Sequence, residues 1–368
     1  MTAVSESSTT KGYRQKELVL LGAGPSHIHT LLALAKKPLV GIRVTLITSS
    51  SDPLNPEMVP GLVAGNYALQ DCAIPLEPLV RRSGVRWLCA TLKSVNAQTQ
   101  QIEIENHETL PFDWLSIDSS PQPNSALLEK MIPGAHKYGL SLRPCETFAS
   151  IWPQVEKLGD TRALRIAVIG SDATAIELAM ALRQRLRESA ISLVCGDAPI
   201  GAAYPQTARR KLHATLRRLN ISVIPDHVVE CIAGAVRLRS GATLACDIPL
   251  IAIHAQAAPW LAASGLTLDD GGFAKVDAQL RSVSHPFVLC ADAVSQRQSE
   301  SHAVNLLAGV SGTAHKAQLQ RTNPLTILFC ANYNAIAIWG RFSAQGRWVW
   351  WLRNWIDRRF VARLRVSA

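Results

Sequence analysis

Apolar residues in this chain come in short runs, each followed by a glycine-bearing turn and then by helical spacing. Glu17–Leu21 reads as a strand, Gly22-Ala23-Gly24-Pro25 as a turn, and the stretch through Ala35 as a helix. Arg43-Val44-Thr45-Leu46-Ile47 is the next strand. A right-handed crossover then sets the two strands parallel in one sheet. The layout recurs roughly 150 residues later, at the spacing of a second nucleotide module. There Arg165–Ile169 is the strand, Gly170-Ser171-Asp172-Ala173-Thr174-Ala175 the turn, and Ile176-Glu177 lies in the helix. Ile191–Val194 follows as that module's second strand, and Gln206–Leu219 as an arginine-rich helix with a solvated face.

Between the modules the pattern is shorter. Strands are expected near Val85–Leu88, Leu92–Asn96, Gln101–Ile104 and Phe112–Asp118, and Pro121–Pro144 reads as a crossing linker. Ile248–Ile253 and Phe287–Asp292 return to the style of the first module. Leu325–Cys330 and Ala335–Trp339 are strand candidates, and a helix runs from about Arg347 to Arg365. The expectation is an α/β protein with two Rossmann-like domains and a C-terminal strand-helix segment. Residues 1–14 form a lead-in, 15–145 with 246–320 a discontinuous first domain, 146–245 the second, and 321–368 the tail.

The two turns differ where chemistry is concerned. In such a motif the first glycine makes the tight turn, the second lets the backbone approach a diphosphate, and the third lets helix and strand pack closely. The diphosphate then rests on unpaired amides at the positive helix end. Gly22 and Gly24 meet the first two demands, and His27 replaces the third glycine. His27 is left either to touch the diphosphate or to fill the space a glycine leaves. At the second turn Gly170 is kept, but Asp172 and Ala175 replace the other two. A carboxylate beside a diphosphate repels it, by about 4 kcal/mol per pair of unit charges at 4 Å near a surface. That site is expected to bind a dinucleotide poorly. At the second strand's end in module one, Thr48-Ser49-Ser50 stands in place of the usual acid, so Ser49 is a ribose candidate. In module two Asp197 fills that role.

With 368 residues, 48% apolar and 18% charged, the chain is globular and long enough for several cores. Its net charge of +10 is concentrated in residues 341–368, where seven arginines face Asp357 alone. No nucleic-acid reader accompanies this charge. Val349, Leu352, Ile356, Phe360 and Leu364 recur at helical steps with Trp348, Trp351 and Trp355 beside them. This basic amphipathic helix suits a membrane surface, or it docks on the first module and buries its tryptophans. No run nears the ~18 apolar residues of a spanning helix, and no signal peptide opens the chain. A cytoplasmic protein, peripheral to the membrane, is expected. The eight cysteines show neither C-x-x-C nor metal spacing, which excludes a redox pair and makes most of them buried small hydrophobes.

These motifs together resemble the two-dinucleotide-domain flavoproteins of the glutathione-reductase fold. The resemblance is strongest to the type II NADH dehydrogenase branch and the flavoprotein domain fused to selenide, water dikinase. It rests on Gly22–His27, on Met58-Val59-Pro60-Gly61-Leu62-Val63-Ala64-Gly65, on Phe112–Asp118 and on Trp355-Ile356-Asp357-Arg358-Arg359-Phe360. The resemblance implies FAD in the first module and NAD(P)H in the second, with hydride passed to the flavin. Gly22, Ala23, Gly24, Pro25, Ser26, His27, Ser49 and Asp292 would then bind FAD, and Gly170, Asp172, Glu177 and Asp197 the nicotinamide cofactor. Cys290-Ala291-Asp292 and Ile253-His254-Ala255 depart from the family's turns. The cofactors carry such chemistry, so no catalytic side chain is named. NAD(P)H binding is expected to be weak or lost, with a small-molecule acceptor, a quinone among them, or a protein as partner. The alternative is a descendant that keeps the fold as a scaffold, or that uses FAD with another reductant.

Overall fold

A computed structural model describes residues 15–105, 108–118, 125–197, 199–253, 257–291, 299–312 and 325–365. Two five-stranded parallel sheets organise the fold. The first runs in the order Val288–Cys290, Trp114–Ile117, Lys16–Leu21, Ile42–Thr48, Arg86–Cys89. Its central strand is apolar and buried from Leu18 to Leu21, where both faces are covered. Leu18 and Leu20 pack under the helix Pro25–Lys36 against Ile28, Leu31 and Leu34. Val19 and Leu21 point the other way, onto Val95, Ile102 and Phe112.

The second sheet runs Ser222–Ile224, Ala190–Val194, Arg165–Ile169, Ile248–Ile251, Leu140–Ser141. Its membership corrects two expectations. The strand beginning at Ile248 belongs here and not with the first module, since Ile248 pairs with Ile166 and Asp247 is clamped by Arg165 at 3.0 Å. Part of the stretch read as a linker is also structural. Helices Ser125–Met131 and Ala135–Tyr138 bring Leu128, Ile132 and Ala135 onto Ala167, Ile169 and Val194. Local proline content hid this, because helices of four to seven residues leave little periodicity to detect.

The tail forms an antiparallel sheet of Thr326–Phe329, Ala335–Trp339 and Phe342–Gly346, followed by the helix Arg347–Arg365. Val349 and Trp350 enter the core around the second sheet, while Leu364 enters the core of the first. The helix thus docks, yet it leaves Trp348, Trp351 and Trp355 outside, 60%, 60% and 55% exposed. Docking does not bury the tryptophans. Among the described residues, no helix is long and apolar enough to cross a membrane.

Candidate functional site

At the first turn Gly22 adopts φ 91°, open to glycine, and its amide donates to Ile47 O at 2.8 Å. Gly24 is required for a different reason. A Cβ there would fall 2.1 Å from Oδ1 of Asp118, the residue just past the strand Trp114–Ile117. That carboxylate is buried and accepts from the amides of Ser26 (2.7 Å) and His27 (3.1 Å). Burial pushes the Asp118 pKa up, against the pull of His27 and the two amides. The amides of Gly22, Gly24, Ser26 and His27, expected to help cradle a diphosphate, are therefore already used by the chain itself. Pro25 has no amide proton.

His27 resolves to the space-filling alternative. It is fully buried, with Nδ1 2.7 Å from Gly22 O and Nε2 2.8 Å from Ser116 Oγ. A carbonyl only accepts, so Nδ1 carries the proton and Nε2 accepts from Ser116. Ser116 Oγ lies 3.2 Å from His302 Nε2, which must then donate, leaving His302 Nδ1 without a partner. Burial, first of all, keeps both histidines neutral; with the added influence of His27 it pushes His302 down to about 3. The side chains of His27 and Ser26 are both buried within the fold.

A cavity of about 740 Å³ opens beside this turn. Gly22, Ala23, Gly24 and Pro25 form part of its wall, and Ser49 and Ser50 lie where the second strand ends. Two lining groups are suited to an anionic, polar ligand. The Arg143 side chain is half-buried, and no partner for its guanidinium is found among the described residues. Asn55 is buried and its Nδ2 donor is unsatisfied, while its Oδ1 accepts from Glu57 N at 3.2 Å. A buried donor without an acceptor costs about 1–3 kcal/mol, so a ligand oxygen there would be stabilising. The residues fit a dinucleotide, with Arg143 and Asn55 taking a share of the work expected of the helix amides. Both were missed in the sequence, where an arginine before a proline and an asparagine in a loop have no distinguishing pattern. Asp292 and His254 lie outside the described residues.

The second turn is built differently. Gly170 has φ 153°, and a Cβ on it would meet Ala252 O at 2.2 Å and the Ala175 Cβ at 2.9 Å. Asp172 is the N-cap of the helix Ala173–Arg185 and accepts from Ala175 N at 2.8 Å. Its carboxylate sits on the positive helix end. Glu177 faces away from any ligand: it is buried, accepts from Phe329 N at 2.8 Å, and forms two hydrogen bonds with the Arg353 guanidinium. Arg353 also donates to Ile327 O (3.0 Å) and Glu57 O (2.9 Å). Burial alone would lower the Arg353 pKa, but Glu177 and Asp357 more than reverse this. A role for Glu177 in cofactor contact is thus replaced by a structural one. Asp197 stays exposed, bound to Arg239 and 3.2 Å from His227, which together hold its carboxyl below the usual range. None of the eight cysteines forms a disulfide, and seven are buried. No cluster of metal-ligating side chains occurs among the described residues.

Comparison with known proteins agrees with this architecture. The fold superposes on sulfide:quinone oxidoreductase from Aquifex aeolicus with TM-score 0.79 and 14% identity, covering 96% of this chain and 92% of that one. It superposes on NDH2 from Plasmodium falciparum, solved in complex with NADH, with TM-score 0.76 and 13% identity over 96% and 97% of the chains. In sequence, demethylphylloquinone reductase NdbB of Synechocystis is 25% identical over 281 residues, or 72% of this chain and 68% of that protein. Residues 16–319 match the pyridine nucleotide-disulphide oxidoreductase family. The chain belongs to that family, whose members are FAD-dependent NAD(P)H oxidoreductases.

Proposed function

We propose that this protein is an FAD-dependent NAD(P)H:acceptor oxidoreductase with a weakened nicotinamide site, acting on a quinone at a membrane surface. The observation that carries this reading is the contrast between the turns. One opens on a large cavity with an arginine that has no partner among the described residues and an unsatisfied asparagine donor. The other has an aspartate seated on its helix end. FAD, when bound, would supply the hydride and electron chemistry. Gly22–Pro25 would bring the backbone close to its diphosphate, Arg143 would offset the negative charge, Asn55 Nδ2 would donate, and Ser49 would meet the ribose. Asp172 would oppose the phosphates of the nicotinamide cofactor. Domain limits of 15–145 with 246–320 and of 146–245 remain part of this proposal, apart from the strand Ile248–Ile251. Quinone is favoured as acceptor by the chemistry in the names of NdbB and the Aquifex enzyme. Membrane contact is favoured by the three exposed tryptophans of the terminal helix.

The visible spectrum of the purified protein, before and after anaerobic NADH, tests this. Yellow protein that bleaches slowly, and faster after Asp172→Gly, is the expected result. Arg143→Ala should loosen FAD by about 10–100-fold, the worth of a charged hydrogen bond. A second reading, a fold kept without its cofactor, is favoured by the Asp118 carboxylate on the first-turn amides. Protein that stays colourless after FAD reconstitution would establish it and end the first.

A further inference from the structure

A second cavity, also of about 740 Å³, opens where the helices Pro25–Lys36, Ser299–Ser311 and Arg347–Arg365 meet. It shares only Phe360 with the cavity at the glycine turn. Its wall is apolar, with half-buried Leu32, Val304, Leu307 and Phe360. Among the described residues its exposed lining is charged, with Lys36, Arg359 and Arg363 against the carboxylate of Glu300. His29, in the same wall, adds no charge at neutral pH, because burial lowers its pKa despite nearby Glu300.

The terminal helix connects this cavity to the outer surface. Trp348, Trp351, Trp355, Arg359 and Ala362 follow at steps of three and four and so share one face. The Arg359 guanidinium lies 4.8 Å from the centroid of the Trp355 ring. Exposed indoles suit the headgroup level of a bilayer. The same face then leads, through Arg359, to a cavity that is apolar within and basic outside.

We infer that this cavity takes one acyl chain of an anionic phospholipid, with its phosphate held by Lys36, Arg359 and Arg363. This rests on the membrane contact proposed above and goes further. Tryptophan contact needs no particular lipid, whereas the cavity asks for an apolar chain and a negative headgroup together. A neutral isoprenoid quinone offers this basic rim no negative charge, while a phosphate gives it charge-assisted hydrogen bonds.

Flotation of the full chain with phosphatidylcholine vesicles, with and without phosphatidylglycerol, tests it, alongside native mass spectrometry of retained lipid. The wild type should prefer the phosphatidylglycerol vesicles and retain that lipid. Arg359→Glu with Arg363→Glu should lower binding to those vesicles by about tenfold or more and leave phosphatidylcholine binding unchanged. Val304→Trp, which fills the cavity, should abolish lipid retention; the charge-reversal pair lies at exposed positions and tests the site even if Val304→Trp fails to fold. Trp351→Ser with Trp355→Ser should weaken binding to both vesicle types, which examines the membrane contact alone. Unchanged phosphatidylglycerol preference in the glutamate pair, or a neutral quinone retained in place of phospholipid, would overturn the inference while leaving membrane contact standing. A wild type that floats with neither vesicle would overturn both.

Discussion

The two glycine turns reach the same electrostatic end by opposite routes. At the first, the helix end is satisfied from a distance by Asp118, 92 residues from Ser26, and the carboxylate is buried behind the turn. At the second, Asp172 lies within the turn and caps its own helix, half-exposed on the side a ligand would approach. A remote carboxylate leaves the approach to the turn open, and the 740 Å³ cavity lies there. A local one lies half-exposed in the turn itself. Under the proposed function, the placement of the negative charge, more than its presence, distinguishes the two turns.

The largest effect should come from the second turn's helix. Arg353→Met would leave Glu177 buried and unpaired, at a cost of about 3–5 kcal/mol, read as a lowered urea midpoint. Restoration of most of the stability by adding Glu177→Leu would confirm that the ion pair matters for burial and not for ligand contact. Next is pH, which should act at the first turn through its buried histidines. His302 is neutral in the fold, with its pKa about 3 against an ordinary 6.5. The unfolded chain therefore binds the additional proton, and stability falls as pH drops through that window. Between pH 6.5 and 4 the loss should reach about 3 kcal/mol. Asp118 acts oppositely, since its raised pKa makes the folded state the better proton acceptor. Chemical denaturation at several pH values, with His302→Leu flattening the profile, measures this.

Gly24→Ala should cost about 2 kcal/mol by displacing the Asp118 carboxylate from its amides, and little in an Asp118→Ala background. Gly170→Ala offers no such relief, because its Cβ meets a backbone oxygen. A double-mutant cycle showing equal coupling at both turns would erase the distinction drawn here. The smallest change is Asp172→Gly, which should remove only about 0.3 kcal/mol of helix capping while tightening NADH, measured by calorimetry. Loss of stability with no gain in affinity would mean that Asp172 serves only as a cap.

Strand, turn and helix at both modules were legible in sequence because each is a local pattern. Asp118 was visible only as the end of a strand motif, since nothing near it shows which helix it caps. Glu177 was misread for a related reason. Its motif position suggests a ligand, but the arginine that claims it is 176 residues away. The strand Ile248–Ile251 matches the first module in composition, and only pairing with Ile166–Ile169 reveals its sheet. The cavity residues stand out by what is unmet, Arg143 by a guanidinium with no partner among the described residues and Asn55 by its unsatisfied Nδ2, properties that no linear pattern records.

The Glu177–Arg353 pair also sets an order of events during synthesis. Glu177 leaves the ribosome long before its cation has been made, as does the Glu57 carbonyl that shares it. Until residue 353 emerges, the nascent chain carries an unneutralised carboxylate at the heart of its largest apolar cluster, so the second sheet cannot close fully around it. A product cut short before Arg353 would be marked as incomplete by its own chemistry, with a frustrated core open to chaperones and proteases.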